Sequence, residues 1–503
     1  MLDVGRNRSL LLVLLAGLVF GVSSLAYPRT SIDSPLFTYV ADTILQGGLP
    51  YRDAWDMKSP GIFFAYALEL FLMGRSAVGL RMFDIAWQLC TAMTLVLIAR
   101  RFLATPGFAW IAGFSHLFLY YSQEFWSWAQ PDGWLSLPLA MSILFLARGV
   151  EYDRGPDWSV AGVGVALAAL FKLPFGLVGV VLLLVALKAP WRDKTVLARR
   201  LVSLALGFLA PLLVVVVFFA VRGGLSDLVT TQFQFVPEYV RQLHDGMTGE
   251  CVLKALARPV ALPLYGLVGL GIASAVFSSG WRRKKPVLGW ALVGWLCVGV
   301  LVVVWHGHYL GYHFLPLLAP AAILSAVPMC TIIERRWERR GAFVALLVFL
   351  TALSLVSARK LVQHARFGLH VLQTQKSADA WEPIGSYLRQ RTSPEDRIQV
   401  WGNVPAIYVH AQRRASSRFF YALPVAGAWE GLDFRQLFLQ EFTENKPAYF
   451  VLVKAESRRR CPATYIDEWA DFQNFEVLKH TVQTEYEVED QREACCVVFR
   501  RRM

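Results

Sequence analysis

The run WSVAGVGVALAALFKLPFGLVGVVLLLVAL, residues 158–187, decides how the rest of the chain must be laid out. As one helix its 30 residues would extend about 45 Å, too long for one untilted span and short of the roughly 60 Å of two. Its single charge sits in Phe171-Lys172-Leu173-Pro174, where the proline cannot continue the helix before it. Parity separates the two readings. If the run crossed once, the basic segments after it (Lys188, Arg192, Lys194, Arg199 and Arg200, then residues 282–285 and 335–340) would lie on the outer side, against the positive-inside rule. A broken hairpin with Lys172 at its outer tip keeps all of them inside.

Working outward, apolar segments of spanning length lie near residues 9–27, 77–99, 103–121, 134–149, 201–221, 259–278, 287–305, 314–333 and 341–358. With the hairpin these predict about eleven crossings, the N-terminus cytoplasmic and the tail extracytoplasmic. The inner segments then carry 18 Lys and Arg, twice the 9 of the outer loops, in less than half the length. Across its 503 residues the chain is 55% hydrophobic and 17% charged, with a net charge of +13 and a mean hydropathy of +0.43. A soluble domain is about 25% charged, so a purely soluble or disordered chain is excluded. The basic excess is a topological label that needs no nucleic-acid partner. Arg6 and Arg8 before the first apolar run also fit a signal peptide cleaved near Ala26, which would leave the later orientation unchanged.

The seven cysteines form no CxxC or other metal-ligand pattern. On the outer side, Cys461 has a disulfide partner in reach in the vicinal pair Cys495-Cys496, which is poorly suited to bond to itself.

Most loop material is on the outer face, so function is expected there. The first outer loop reads SIDSPLFTYVADTILQGGLPYRDAWDMKSPGIFFAYALELFLMG, residues 31–74. It predicts an amphipathic helix over 35–46, a turn at 47–50 and a short apolar helix over 60–74, both helices lying along the interface. Ser59 reads as the N-cap of the second helix and Pro60 as its first residue, with Lys58 just before. A helix N-terminus attracts anions and Lys58 adds a full charge, which fits a lipid phosphate as well as an ordinary capped helix with a snorkelling lysine. Asp33 lies six residues past the first crossing, a place for a general base; Asp42, Asp53 and Asp56 compete for that role.

The second outer loop, YYSQEFWSWAQPDGW at residues 120–134, sets Glu124 and Asp132 among aromatic rings. Asp132 is either a second active-site acid, paired for acid/base work or divalent-metal binding, or a turn residue of Pro-Asp-Gly. WHGHYLGYHFLP, residues 305–316, gathers His306, His308, Tyr309, Tyr312 and His313 at one helix end. Three histidines at this spacing suit zinc, and His and Tyr donors suit phosphate or sugar equally well. The predicted helix centres are nearly free of ionisable groups, which disfavours the alternative of a lipid or glycan transporter without catalytic chemistry.

Past Arg359 the composition turns polar. Residues 399–403, 448–454, 485–489 and 495–500 read as strands and 404–412 and 434–444 as helices. This predicts a small C-terminal α/β soluble domain over 359–503, packing over the outer loops, after a membrane domain over 1–358.

Taken in order, Asp33, the GGLPYRDAWDMKSPG run, the PDG loop, the lysine-proline tip, HYLGYHFLP and WGNVPAIYVHAQRRASSRF (residues 401–419) resemble the GT-C superfamily of polytopic, lipid-phosphosugar-dependent glycosyltransferases. The likeness is to bacterial members similar to protein O-mannosyltransferases and the aminoarabinose transferase of lipid A. The resemblance implies a mainly α GT-C fold. It also implies inverting sugar transfer from a polyprenyl-phosphate donor to a glycan, lipid or protein hydroxyl at the outer face of a bacterial inner membrane, within a milieu of membrane lipids. Residue by residue it implies Asp33 as catalytic base, Asp132 as second acid, and Lys58 and Lys172 near the donor phosphate. Tyr51, Asp53, His308, Tyr309, Tyr312 and His313 are the further donor-binding candidates. The family often has Asp-Glu where this chain has Asp33-Ser34, which leaves dependence on a divalent cation, Mg or Mn, open.

Overall fold

The structure, a computed structural model, describes residues 4–27, 33–103, 105–189, 193–257, 262–277, 286–334, 340–374, 379–454, 468–492 and 495–502. The chain divides into two compact units, each discontinuous in sequence. The first comprises Met1–Tyr27, Ser76–Val216 and Leu253–Gln375; the second comprises Pro28–Arg75, Val217–Val252 and Lys376–Met503. The division therefore differs from a single boundary at 358, because the second unit gathers the first outer loop, the segment 217–252 and the tail.

Each of the eleven expected crossings is occupied by a helix. Among the described residues seven helices are long and apolar enough to cross a membrane: Arg8–Ala26, Ala77–Arg101, Pro131–Tyr152, Lys194–Val221, Val287–His306, Gly311–Glu334 and Leu346–Thr374. The other four, Trp110–Tyr121, Gly155–Phe171, Leu173–Lys188 and Leu262–Phe277, are shorter. The two hairpin arms are joined by a 3-10 turn over Leu173–Leu177. Ala169 lies 3.5 Å from where a Cβ on Gly176 would sit, and Val165 3.7 Å from one on Gly179, so partners fall in number as the chain advances and the second arm runs back along the first. Helix Lys194–Val221 crosses close to the first arm, and only glycine allows it: a Cβ on Gly207 would sit 2.0 Å from the Ser159 carbonyl oxygen.

The helix expected to stop near 358 runs on as Arg340–Thr374. Two polar side chains of its second half are accommodated by partners, while Arg359, Gln363, Arg366 and His370 are exposed. Lys360 is ion-paired with Glu124, and buried His364 bonds the Tyr27 hydroxyl at 2.6 Å and the Gln123 carbonyl at 2.9 Å. Trp128, Trp134, Trp158 and Trp295 are fully buried in this unit.

In the second unit, strands β1 (Arg397–Trp401), β2 (Arg414–Ala415), β3 (Tyr449–Val453), β4 (Tyr486–Arg492) and β5 (Cys496–Arg501) form one sheet in the order β2-β1-β3-β5-β4. β1 is parallel to β2 and β3, whereas β5 is antiparallel to β3 and β4. Parallel pairs need crossovers, and helices Ala406–Ala411 and Phe434–Asn445 lie within them. β1 and β3 are almost wholly buried, as expected for central parallel strands. The Cys495 and Cys496 sulfurs lie 3.0 Å apart, a hydrogen-bonding and not a disulfide distance. Cys461 lies outside the described residues, and Cys251 is disulfide-bonded.

The first-loop helices are Asp33–Leu45 and Gly61–Met73. Residues 34–41 are all buried, so the first of these helices is a core element of its unit rather than an amphipathic surface helix.

Candidate active site

The second unit is built around residues 49–60. Gly48 and Asp53 close the turn expected at 47–50: the Asp53 carboxylate accepts the Leu49 N–H at 2.7 Å and pairs with Arg52 at 2.8 Å. Burial works to raise the Asp53 carboxyl, but Arg52 and the Leu49 N–H together hold it below the usual carboxylate range. Asp53 thus fixes a turn. Tyr51 is fully buried in the left-handed region at φ 70°, and its hydroxyl donates to the Lys58 carbonyl at 2.8 Å.

Asp56 is the deeply buried acid of this loop, 2% exposed. Its carboxylate accepts the Lys58 N–H at 2.9 Å and the Tyr421 O–H at 2.9 Å. Burial pushes its carboxyl up; Lys58 and these two donors oppose the rise, and the nearby negative charge of Asp33 adds to it. Asp33 itself is the first residue of helix Asp33–Leu45 and is half-buried. Ser59 does not cap the following helix. That helix begins at Gly61 with no side-chain cap, and the Ser59 hydroxyl donates to Gln232 at 3.2 Å instead. Lys58 is half-buried, and its ammonium makes no ion pair among the described residues.

The tail is threaded into this loop. The Trp55 N–H bonds the Arg418 carbonyl at 2.9 Å, the Ala415 N–H bonds the Tyr39 hydroxyl at 2.8 Å, and Arg418 pairs with both Asp227 and Glu441. Trp55 packs among Phe235, Phe419, Tyr421 and Phe434. The residues of the WGNVPAIYVHAQRRASSRF run therefore belong to the same unit as Asp33 and Lys58.

In the first unit, Asp132 and Lys172 are brought together directly. Lys172 Nζ lies 2.6 Å from Asp132 Oδ1, with side chains 12% and 4% exposed. The hairpin tip is thereby tied to the PDG loop. Beneath that loop, buried Asp84 accepts from Trp134 Nε1 at 2.7 Å and from the Tyr120 hydroxyl at 2.9 Å, and Tyr120 in turn accepts the Ala129 N–H at 3.0 Å. The sequence reading passed over Asp84, yet an acid inside an apolar span is a signal in its own right. His306, His308 and His313 cluster, with ring centroids 4.6 Å apart for His306 and His313 and 6.1 Å for His308 and His313. Buried Tyr312 packs edge-on to His313, and Tyr309 takes a left-handed φ of 45°. Among the described residues no group of three or more His, Cys, Asp and Glu is arranged to hold a metal ion.

The fold is that of a polytopic GT-C protein: a helical membrane unit, first-loop helices, and a small C-terminal sheet. Residues 57–219 match the dolichyl-phosphate-mannose-protein mannosyltransferase family. Among solved structures the chain is similar to ArnT from Cupriavidus metallidurans bound to undecaprenyl phosphate, with 14% identity, a TM-score of 0.57 and 97% of each chain covered. It is also similar to the archaeal oligosaccharyltransferase AglB from Archaeoglobus fulgidus in complex with an inhibitory peptide and a dolichol-phosphate. There the identity is 11% and the TM-score 0.54, over 89% of this chain and 69% of that one. No curated protein matches the sequence.

Proposed function

We propose that the protein is an inverting glycosyltransferase that moves a sugar from a polyprenyl-phosphate donor to an acceptor hydroxyl on a glycan, lipid or protein. The observation that carries the reading is a lysine without an ion pair among the described residues, on a main chain held from both sides, in the same unit as the carboxylates of Asp33 and Asp56. The match over 57–219 and the solved structures with undecaprenyl phosphate and dolichol-phosphate support a lipid-phosphate donor.

In this mechanism Asp33 takes the proton of the acceptor hydroxyl as its oxygen attacks the anomeric carbon. The bond from that carbon to the phosphate oxygen breaks on the opposite face, and the lipid phosphate leaves with the electron pair. Lys58 stabilises the charge that develops on the leaving phosphate. Within the first unit, His308, Tyr309, Tyr312 and His313 are the candidate hydrogen-bonding groups and the pair Asp132–Lys172 positions its loop. No step is routed through Mg or Mn; undiminished transfer in chelator agrees with that, and loss restored by either ion contradicts it. The charge asymmetry supports an N-terminus in the cytoplasm and Asp33 on the outer side, and on this reading the membrane is a bacterial inner membrane. Whether the sugar is a hexose or a pentose is read by incubating purified protein with a panel of polyprenyl-phosphate sugars and following which donor is consumed. An Asp33→Asn variant that turns over at the wild-type rate sinks the assignment of the base.

A further inference from the structure

The peptide units around Lys58 are gripped by one side chain from a distant part of the chain. Gln232 Nε2 donates to the Met57 carbonyl at 3.1 Å and to the Lys58 carbonyl at 3.2 Å, while its Oε1 accepts the Ser59 hydroxyl at 3.2 Å. Carbonyl oxygens only accept, so these contacts fix which end of the amide faces them. Three successive residues are thus held by a single amide, and Gln232 is itself buried. The Tyr51 hydroxyl on the Lys58 carbonyl and the Asp56 carboxylate on the Lys58 N–H complete the grip.

Gln232 lies in the widened helical turn Thr230–Phe235, a π-helix. Such turns are rare, and each residue of an α-helix turns by about 100°, so one extra residue re-aims every side chain that follows or lies within it. The turn joins helix Leu225–Val229 to helix Val236–Gly246. It lies outside residues 57–219, the stretch that matches the mannosyltransferase family.

We propose that Gln232 is a positioning residue for the Lys58 ammonium, setting its height and direction toward the lipid phosphate; this rests on the reading of Lys58 as the phosphate-binding cation. Gln232 touches neither phosphate nor sugar. Its effect reaches the donor only through Lys58, and that dependence separates positioning from general structural support.

The test is a double-mutant cycle on the purified full-length protein, reading the dissociation constant for undecaprenyl phosphate. Gln232→Met keeps the length and removes both donors and the acceptor. We expect Gln232→Met to bind about tenfold more weakly, within the range that misplacement of a contact by about 1 Å produces. Lys58→Ala should bind more weakly still, and the double variant no more weakly than Lys58→Ala. Wild-type affinity in Gln232→Met, or a further tenfold loss on adding it to Lys58→Ala, overturns the assignment. Wild-type affinity in Lys58→Ala is a different result: it removes the phosphate role of Lys58 itself. If Gln232→Met does not fold, Gln232→Glu enters the same cycle, since it keeps the acceptor for Ser59 and loses the donors.

Discussion

Two lysines expected to serve the same phosphate sit in opposite circumstances. Lys172, in the first unit, has the Asp132 carboxylate at 2.6 Å, and both side chains are largely buried. Lys58, in the second unit, makes no ion pair among the described residues, although its main chain is bonded at both N–H and carbonyl. A buried cation matched by an anion holds structure together, because desolvating either charge alone is expensive. A cation whose backbone is fixed and whose ammonium makes no ion pair among the described residues is suited to an anion that comes and goes. The difference teaches that, under the proposed function, one lysine fastens the fold while the other is left to bind.

That comparison can be broken in several ways. The largest effect is expected at the base: Asp33→Asn should lower the transfer rate by about 10² to 10⁴ with little change in thermal stability. Next, Lys58→Ala should lower transfer by about 10² to 10³, again without moving the melting temperature. If Lys58→Ala unfolds earlier in a detergent melt than Lys172→Met does, the two lysines have been assigned the wrong way round. Removing one member of the Lys172–Asp132 pair should destabilise the first unit by about 3 to 5 kcal/mol, whereas replacing both with apolar residues of similar volume should recover most of it. The same melts read this as a non-additive pair.

Smaller effects are expected at Asp56. Burial raises its carboxyl pKa in the fold above the unfolded value of about 3.9. Its contribution to stability is therefore complete below that value and is lost as pH rises through the folded pKa. Asp56→Asn should flatten the fall in melting temperature over that window. Tyr421→Phe should shift the window upward, since it removes a donor to the ionised carboxylate, and should cost about 1.5 to 3 kcal/mol at neutral pH. A melting profile of Tyr421→Phe that superimposes on wild type would detach the tail from the loop chemistry.

Much of this architecture is legible in the sequence. The broken hairpin follows from the length of 158–187, its one proline and the parity of the basic segments after it, the first-loop helices from their apolar runs and Gly47-Gly48, and the tail domain from alternating strand and helix patterns. What is not legible has a common physical cause. Gln232 and Tyr421 matter through partners more than 170 residues away, and in Thr230–Phe235 neither Gln232 nor Gln234 carries a periodicity or spacing that points to Met57 and Lys58. Ser59 has the sequence of an N-cap, but a competing acceptor on Gln232 takes its hydroxyl. The helix end expected near 358 fails because Lys360 and His364 find partners in Glu124, Tyr27 and Gln123, so their polarity marks contacts and not an exit into solvent. Asp132 and Lys172 were each singled out, yet only the fold reveals that they answer one another.

The three-part make-up of the second unit has a consequence for how the protein is made. Asp33 and Lys58 are translated well before Tyr421, which bonds Asp56 from 365 residues further along the chain, and before Arg418, which bonds Trp55. Translation proceeds at about 5 to 20 residues per second, so the early loop waits tens of seconds or more for the residues that complete it. A nascent chain that has not yet reached residues 418–421, or one cut before them, carries the proposed base and the proposed phosphate lysine without the groups that fix their loop, so competence waits for the tail.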